Sequence, residues 1–229
     1  MAWHSKRFKA VAEKVEAGSK RTVAEAAQLV KENATAKFDE SIEIAIRLGI
    51  DVKKSEQMIR GSVSLPKGTG KSVRVIAFCL GEMVEKAKAA GATEAGSDDL
   101  IKKITDGWAD FDVAVAHPEL MSKVGRLGRI LGPKGLMPSP KAGTVTENVE
   151  RAVREYMGGR VEYRSDSTGC LQALVGKASF NPEDIVENVN AFIEHIVAAK
   201  PGGVKGAFIR KAVLSSTMGP GVEINVSGM

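Results

Sequence analysis

The chain has 229 residues, a net charge of +5, and 43% hydrophobic against 27% charged residues, enough to bury one large core or two small ones. No uncharged apolar run approaches the roughly 18 residues of a membrane span, and the early cations Lys6, Arg7 and Lys9 lead into Glu13, Lys14 and Glu16, not into the apolar core of a secretory leader. Two cysteines, Cys79 and Cys170, and three scattered histidines, His4, His117 and His195, offer no cysteine cage or paired-histidine spacing, so no metal site is expected and the thiols read as buried and reduced.

Residues 5–17 read as a short helix of basic and apolar residues. Thr22-Val23-Ala24-Glu25 has capping-box spacing and opens a second helix with Ala26, Ala27, Leu29 and Val30 on one face. At 41–48 the period falls to two, which predicts a half-buried strand. A turn over 49–55 leads to a second strand at 61–65, and the punctuation at 66–71 marks a boundary. Strand 73–78, helix 81–90, an extended piece around Thr93, helix 98–104 and strand 112–116 follow. That alternation predicts a small α/β domain with a mainly parallel sheet.

A long irregular loop is expected over 125–143, then a helix over 147–156 and a second boundary at Gly158-Gly159. Strands 160–164 and 170–177 flank a turn. Asn181-Pro182 opens a long amphipathic helix to Ala199, with Ile185, Val189, Phe192, Ile193 and Ile196 near helical spacing. A Gly-rich link at 201–206 precedes two strands, 207–216 and 222–226. The outer pieces share one character, so the expected organisation is a split α+β domain, 1–67 plus 160–229, with an α/β domain, 68–159, inserted into it.

Several strings imitate catalytic motifs. Gly68-Thr69-Gly70-Lys71-Ser72 ends like a phosphate loop, but Leu65 stands where the first glycine belongs, and the run Val73-Arg74-Val75-Ile76 follows where a helix is required. The glycines at 125, 128 and 132 lack the dinucleotide spacing. His117-Pro118-Glu119 has no identifiable partner, and His195 falls inside the long helix. No catalytic residue, metal, cofactor or small-molecule substrate is assigned, so the chain is not read as an enzyme.

Unbalanced cations point elsewhere. Residues 123–141 contain Lys123, Arg126, Arg129, Lys134 and Lys141, no acid, and seven Gly or Pro. Glycines admit close backbone approach, and cations without counterions suit a phosphate backbone. A second patch holds Lys200, Lys205, Arg210 and Lys211 and leads to Ser215-Ser216-Thr217-Met218-Gly219-Pro220. Lys37-Phe38 places a cation beside an aromatic at a strand entrance. Aromatics are only 5% of the chain, which favours recognition of a folded RNA by shape and backbone over stacking of many splayed bases. The outer segments hold twenty basic and sixteen acidic residues, the middle thirteen and twelve, so principal RNA affinity is assigned to the split domain.

Several strings in order resemble the family of large-subunit ribosomal protein number one, in its bacterial form. They are Ala34-Thr35-Ala36-Lys37-Phe38-Asp39-Glu40, Leu48-Gly49-Ile50-Asp51 and Arg60-Gly61-Ser62-Val63-Ser64-Leu65-Pro66, then Gly128-Arg129-Ile130-Leu131-Gly132-Pro133-Lys134-Gly135-Leu136-Met137-Pro138, Lys141-Ala142-Gly143-Thr144-Val145 and Ser216-Thr217-Met218-Gly219-Pro220. The resemblance spans essentially the whole chain. It implies a split α+β domain with an inserted Rossmann-like three-layer α/β domain, in a cytoplasmic protein that is monomeric when free and resides on the large ribosomal subunit. Its implied partners are the mobile stalk of large-subunit ribosomal RNA, the exit-site tRNA whose release it assists, and the leader of its own mRNA, which it represses.

The RNA-binding residues that the resemblance implies are Glu25, Lys37, Phe38, Ser41, Thr217, Met218 and Gly219. A turn with Arg164, Asp166, Thr168 and Gly169 is expected beside them, and the basic loop 123–141 is secondary. Ser41, Ser215 and Ser216 depart from the family's usual threonines but keep the hydroxyl. Ser165 and Ser167 stand where many relatives have Asn and Lys, which puts one charged contact of that turn in question.

Overall fold

The computed structural model describes residues 5–15, 18–204 and 206–226. The chain divides into two compact units, Met1–Gly70 with Val161–Met229 and Lys71–Arg160. The first unit opens with α1 (Lys6–Ala12), capped by Ser5; the rest of the expected helix to residue 17 is not helical through Val15, and residues 16–17 lie outside the described set. Helix α2 (Val23–Asn33) has both halves of the capping box: the Thr22 side chain accepts from the Glu25 amide, and the Glu25 carboxylate accepts from the Thr22 amide. Such a cap contributes about 1 kcal/mol to the helix. Strand β1 (Ser41–Leu48) buries Ile42, Ile44, Ile46 and Leu48 on one face, and a short 3-10 turn (Ser55–Gln57) leads to β2 (Arg60–Ser64).

In the inserted unit β3 (Val75–Phe78), α3 (Glu82–Ala89), β4 (Glu94–Gly96), α4 (Asp98–Thr105) and β5 (Val113–Ala116) form a parallel sheet of order β4-β3-β5 with its helices. The sheet is covered on both faces. Ile76 and Phe78 pack with Leu100, Ile104, Leu127 and Leu131, while Val75 and Ala77 pack with Ala87, Val153 and Tyr156. That gives three layers, and it explains why β3 reads as an unbroken apolar run.

The structure corrects one expectation here: 125–143 is irregular only in part. After α5 (Met121–Val124) it winds through a 3-10 turn at Gly125–Leu127 and α6 (Gly128–Leu131), has no helix or strand over 132–139, and ends in a 3-10 turn at Pro140–Ala142, burying Leu127, Leu131 and Ala142. Helix α7 (Val149–Met157) closes the unit, capped by the Asn148 side chain.

The chain returns to the first unit through β6 (Arg160–Arg164), β7 (Cys170–Lys177), α8 (Pro182–Ala198), β8 (Ile209–Ser216) and β9 (Val222–Ile224). β6 joins β2 in a two-stranded sheet, and the main sheet has the order β7-β1-β8-β9. β1 is therefore central, antiparallel to β7 and to β8. Helices α2 and α8 cover its buried face with Val30, Val189, Phe192 and Ile196. His195 packs in this layer, its Nε2 3.0 Å from the Tyr163 hydroxyl. Cys79 is buried and Cys170 is half-buried, a correction to the expectation that both are enclosed.

Buried Asn188 on α8 donates to the carbonyls of Gly68 and Val175 at 2.9 and 2.8 Å and accepts the Lys67 amide at 3.0 Å. The punctuation at 66–68 is thereby fixed to its own unit. No described helix is long and apolar enough to cross a membrane, and no described group of three His, Cys, Asp or Glu residues could hold a metal ion.

Candidate nucleic-acid interface

Register sets the site. Ser41 begins β1 and lies beside the last residues of β8, since Ile42 pairs with Ser216. The Thr217 hydroxyl accepts from the Ser41 amide at 3.0 Å, and the Thr217 amide donates to the Ser41 carbonyl at 3.0 Å. Two segments 178 residues apart in sequence are joined once more by Glu40, whose carboxylate accepts the Met218 amide at 3.0 Å and the Ala36 amide at 2.9 Å. At this seam Phe38 and Met218 stand 55% and 51% exposed, two large apolar side chains on segments joined by the same bonds. Lys37 is exposed beside Phe38. Lys177 donates to the Ser41 hydroxyl at 3.0 Å, and Ser179 binds both carboxylate oxygens of Asp39 at 3.0 Å.

Glu40 is 1% exposed. Burial alone would raise its pKa, but the Ala36 and Met218 amides, the Ser216 hydroxyl dipole and the Arg7 charge outweigh it and hold the carboxyl below the ordinary range. The Ser216 Oγ is itself buried and falls short of hydrogen-bond geometry with any partner. A Cβ at Gly219 would lie 2.5 Å from it, so a larger residue there would have to turn the Ser216 side chain aside.

The structure thus brings together Lys37, Phe38, Ser41, Thr217, Met218 and Gly219. Glu25 is engaged in the capping box at the start of α2, and among the described residues no hydrogen bond or ion pair links its side chain to the cluster. Nor does the turn with Arg164, Asp166, Thr168 and Gly169 lie beside them, as the resemblance led us to expect. Arg47 pairs with Cys170 while Ser41 pairs with Lys177, which puts the turn at the opposite end of β1, about 20 Å away at the usual rise per residue.

Asp166 organises that turn, accepting from the Thr168 amide and hydroxyl at 2.8 and 2.7 Å and the Cys170 amide at 2.8 Å. The Thr168 hydroxyl and these amides hold its pKa below the ordinary value. Gly169 sits at φ 77°, which favours glycine. Ser165 is buried, exchanging bonds with the Ile59 amide and carbonyl, so it presents nothing to a partner in solvent.

The far end of the sheet gathers cations that the sequence scatters. Leu48 and Gly49 bond the backbone of Gly169 and Phe208, and a Cβ on Gly49 would lie 3.3 Å from the Arg210 guanidinium. Lys53, Lys54, Arg60, Arg164 and Arg210 are exposed in these segments, with no ion pair among the described residues. Of the second basic patch, Lys211 is paired with Glu223 at 2.7 Å and Lys205 lies outside the described residues.

In the inserted unit Lys123 is not free either, since it binds Asp98 at 2.9 Å. Arg126, Arg129, Lys134 and Lys141 remain exposed and, among the described residues, without an ion-pair partner. Arg126 and Arg129 lie three apart on successive helical turns, beside exposed Gly125 and Gly132.

Glu40 and Lys177 escaped the sequence reading. For Glu40 a signal existed: extending the alternation of Ile42, Ile44 and Ile46 backwards puts residue 40 on the buried face.

The family model described as ribosomal protein L1p/L10e family matches residues 30–220. The large ribosomal subunit protein uL1 of Thermus thermophilus is 53% identical over 226 residues, covering 98% of this chain and 99% of the relative. The proteins of the same name from Corynebacterium glutamicum (strain R) and Fervidobacterium nodosum are 49% and 50% identical, covering 98% and 99% of this chain and 95% and 97% of theirs. On a family match over most of its length and on relatives about half identical from end to end, the chain belongs to the ribosomal protein L1p/L10e family.

Proposed function

We propose that this ribosomal protein, a structural constituent of the large subunit, binds the stalk of large-subunit ribosomal RNA through the seam where β1 meets the end of β8. The observation that carries the reading is the pair Phe38 and Met218, exposed on two loops that are fixed from below by Ser41, Thr217 and Glu40. Fixed loops lose little entropy on docking. Apolar side chains there pack on sugar and base faces while Lys37 meets phosphate.

The same surface accepts an RNA of like shape in the leader of the protein's own messenger, and competition between the two RNAs makes the protein a translational repressor. The far-end cations Lys53, Lys54, Arg60, Arg164 and Arg210 and the inserted unit's Arg126, Arg129, Lys134 and Lys141 supply further phosphate contacts. They suit a second, transient polyanion such as the tRNA leaving the exit site.

The test is titration of the full chain with a stalk fragment of ribosomal RNA at two salt concentrations, with an unrelated structured RNA as competitor. Phe38→Ala with Met218→Ala is expected to abolish the preference for the stalk while leaving salt-sensitive, sequence-blind binding. Retained preference would move specificity away from the seam.

A further inference from the structure

Glu40 is the only acidic or basic side chain among the buried residues described, and among the described residues no cation lies within ion-pair distance of it, Arg7 acting on it only through its charge. A carboxylate in that position is costly unless its oxygens are hydrogen-bonded, and an apolar residue would continue the alternation of β1 at no such cost. What the carboxylate does that an apolar side chain could not is accept one amide from each of two loops. One oxygen takes Ala36 and the other takes Met218.

The first of these bonds matters because residues 35–38 belong to no helix or strand. Among the described residues the Ala36 amide makes the one main-chain hydrogen bond of that stretch. The strand ends are held independently, by the Ser41–Thr217 bonds. Arg7 binds the Thr35 side chain and Ser179 binds Asp39, but it is Glu40 that ties the 35–38 stretch directly to the Met218 loop.

We propose that Glu40 is a positioning residue of the RNA interface, setting the separation and orientation of Phe38 and Met218 without touching RNA itself. The proposal rests on the seam being the RNA-binding surface. Glu40→Gln is close to isosteric but offers one acceptor and one NH2 group, so one loop amide faces a donor. Binding of the full chain to the stalk RNA fragment is expected to weaken about tenfold, the equivalent of roughly one lost charge-assisted hydrogen bond. The amide resonances of Ala36 and Met218 are expected to move, and those of the buried strand residues Ile44 and Leu214 to stay.

The deciding measurement is a mutant cycle read by RNA affinity. In a chain already carrying Phe38→Ala and Met218→Ala, adding Glu40→Gln is expected to cost nothing further, because nothing is left to position. If the losses add, or if Glu40→Gln alone binds like the parent, Glu40 is not a positioning residue. If Phe38→Ala with Met218→Ala binds like the parent, the seam is not the interface and the proposal falls with it. Should Glu40→Gln fail to fold, Glu40→Asp replaces it in the same cycle under the same criteria, with the charge and both acceptors kept on a stem one methylene shorter.

Discussion

The Thr217 hydroxyl lies between the amide and the carbonyl of Ser41, 3.0 Å from one and 3.3 Å from the other. A side chain on the last turn of the sheet thus completes the first residue of the central strand. Thr217→Val keeps the shape and removes both bonds, leaving the Ser41 amide without its acceptor. We expect stability to fall by about 1 kcal/mol and stalk RNA affinity to fall on the order of tenfold, because Ser41 and the preceding loop lose their register. Thr217→Ser should retain most of both. Urea unfolding beside RNA titration separates the two effects, and a valine variant with parental affinity would remove Thr217 from the interface.

Gly219 is constrained by its contact with Ser216. Gly219→Ala places a methyl 2.5 Å from the Ser216 Oγ, a buried hydroxyl that also helps hold the Glu40 carboxyl low. Affinity for RNA should drop severalfold. Adding Ser216→Ala removes the obstructing oxygen and should restore most of the loss, so the double variant binding better than Gly219→Ala alone is the outcome to look for.

Acid should loosen both ends of the sheet. Glu40 and Asp166 each have a folded-state pKa below the ordinary carboxylate value. Their contribution is complete above the unfolded value of about 4 and is lost as pH falls through the lower folded values. The stability advantage of the parent over Glu40→Gln should be flat from pH 7 to pH 5 and shrink below about pH 4. An advantage that grows on acidification would reverse the sign.

Asn188 makes three hydrogen bonds in the core of the split unit, two of them to the segment leading out of it. Asn188→Ala leaves one amide and two carbonyls unsatisfied and should cost about 3 kcal/mol. Protection of the Lys67 amide from hydrogen exchange should fall with it. Unchanged protection would mean that other contacts hold residues 67–68.

Replacing Arg126, Arg129, Lys134 and Lys141 together with Ala should flatten the salt dependence of RNA binding by the full chain. Each phosphate contact removed lowers the log–log slope by roughly 0.7–0.9. Preference for the stalk over competitor RNA should persist. A slope equal to the parent's would show that these cations face no RNA.

The elements were legible where one period dominates. Ile42, Ile44, Ile46 and Leu48 announce β1, and Thr22 with Glu25 announces α2, because local spacing alone decides those outcomes. The stretch 125–143 was not legible: its glycines and prolines mask Leu127 and Leu131, four apart, which anchor its short helices in a core supplied by α4 and β3. At the site, Phe38 beside Lys37 and Thr217 in its Gly-Pro turn stand out in the sequence and the resemblance joins them, whereas Glu40 reads as one more charged residue at a strand entrance. The grouping of Lys53, Arg164 and Arg210 depends on strand register, which no single segment encodes.

The order β7-β1-β8-β9 has a consequence for synthesis. β1 leaves the ribosome early, yet both of its neighbours are made after the entire inserted unit. The residues of that unit are contiguous and can collapse as they emerge, while β1 waits with both edges bare. A nascent chain halted anywhere before Ile209 lacks one wall of the sheet and every residue of the Thr217 turn. The seam is thus assembled only once β8 has been made, and the topology acts as a check on completeness: a chain halted earlier lacks half of the surface proposed to recognise RNA.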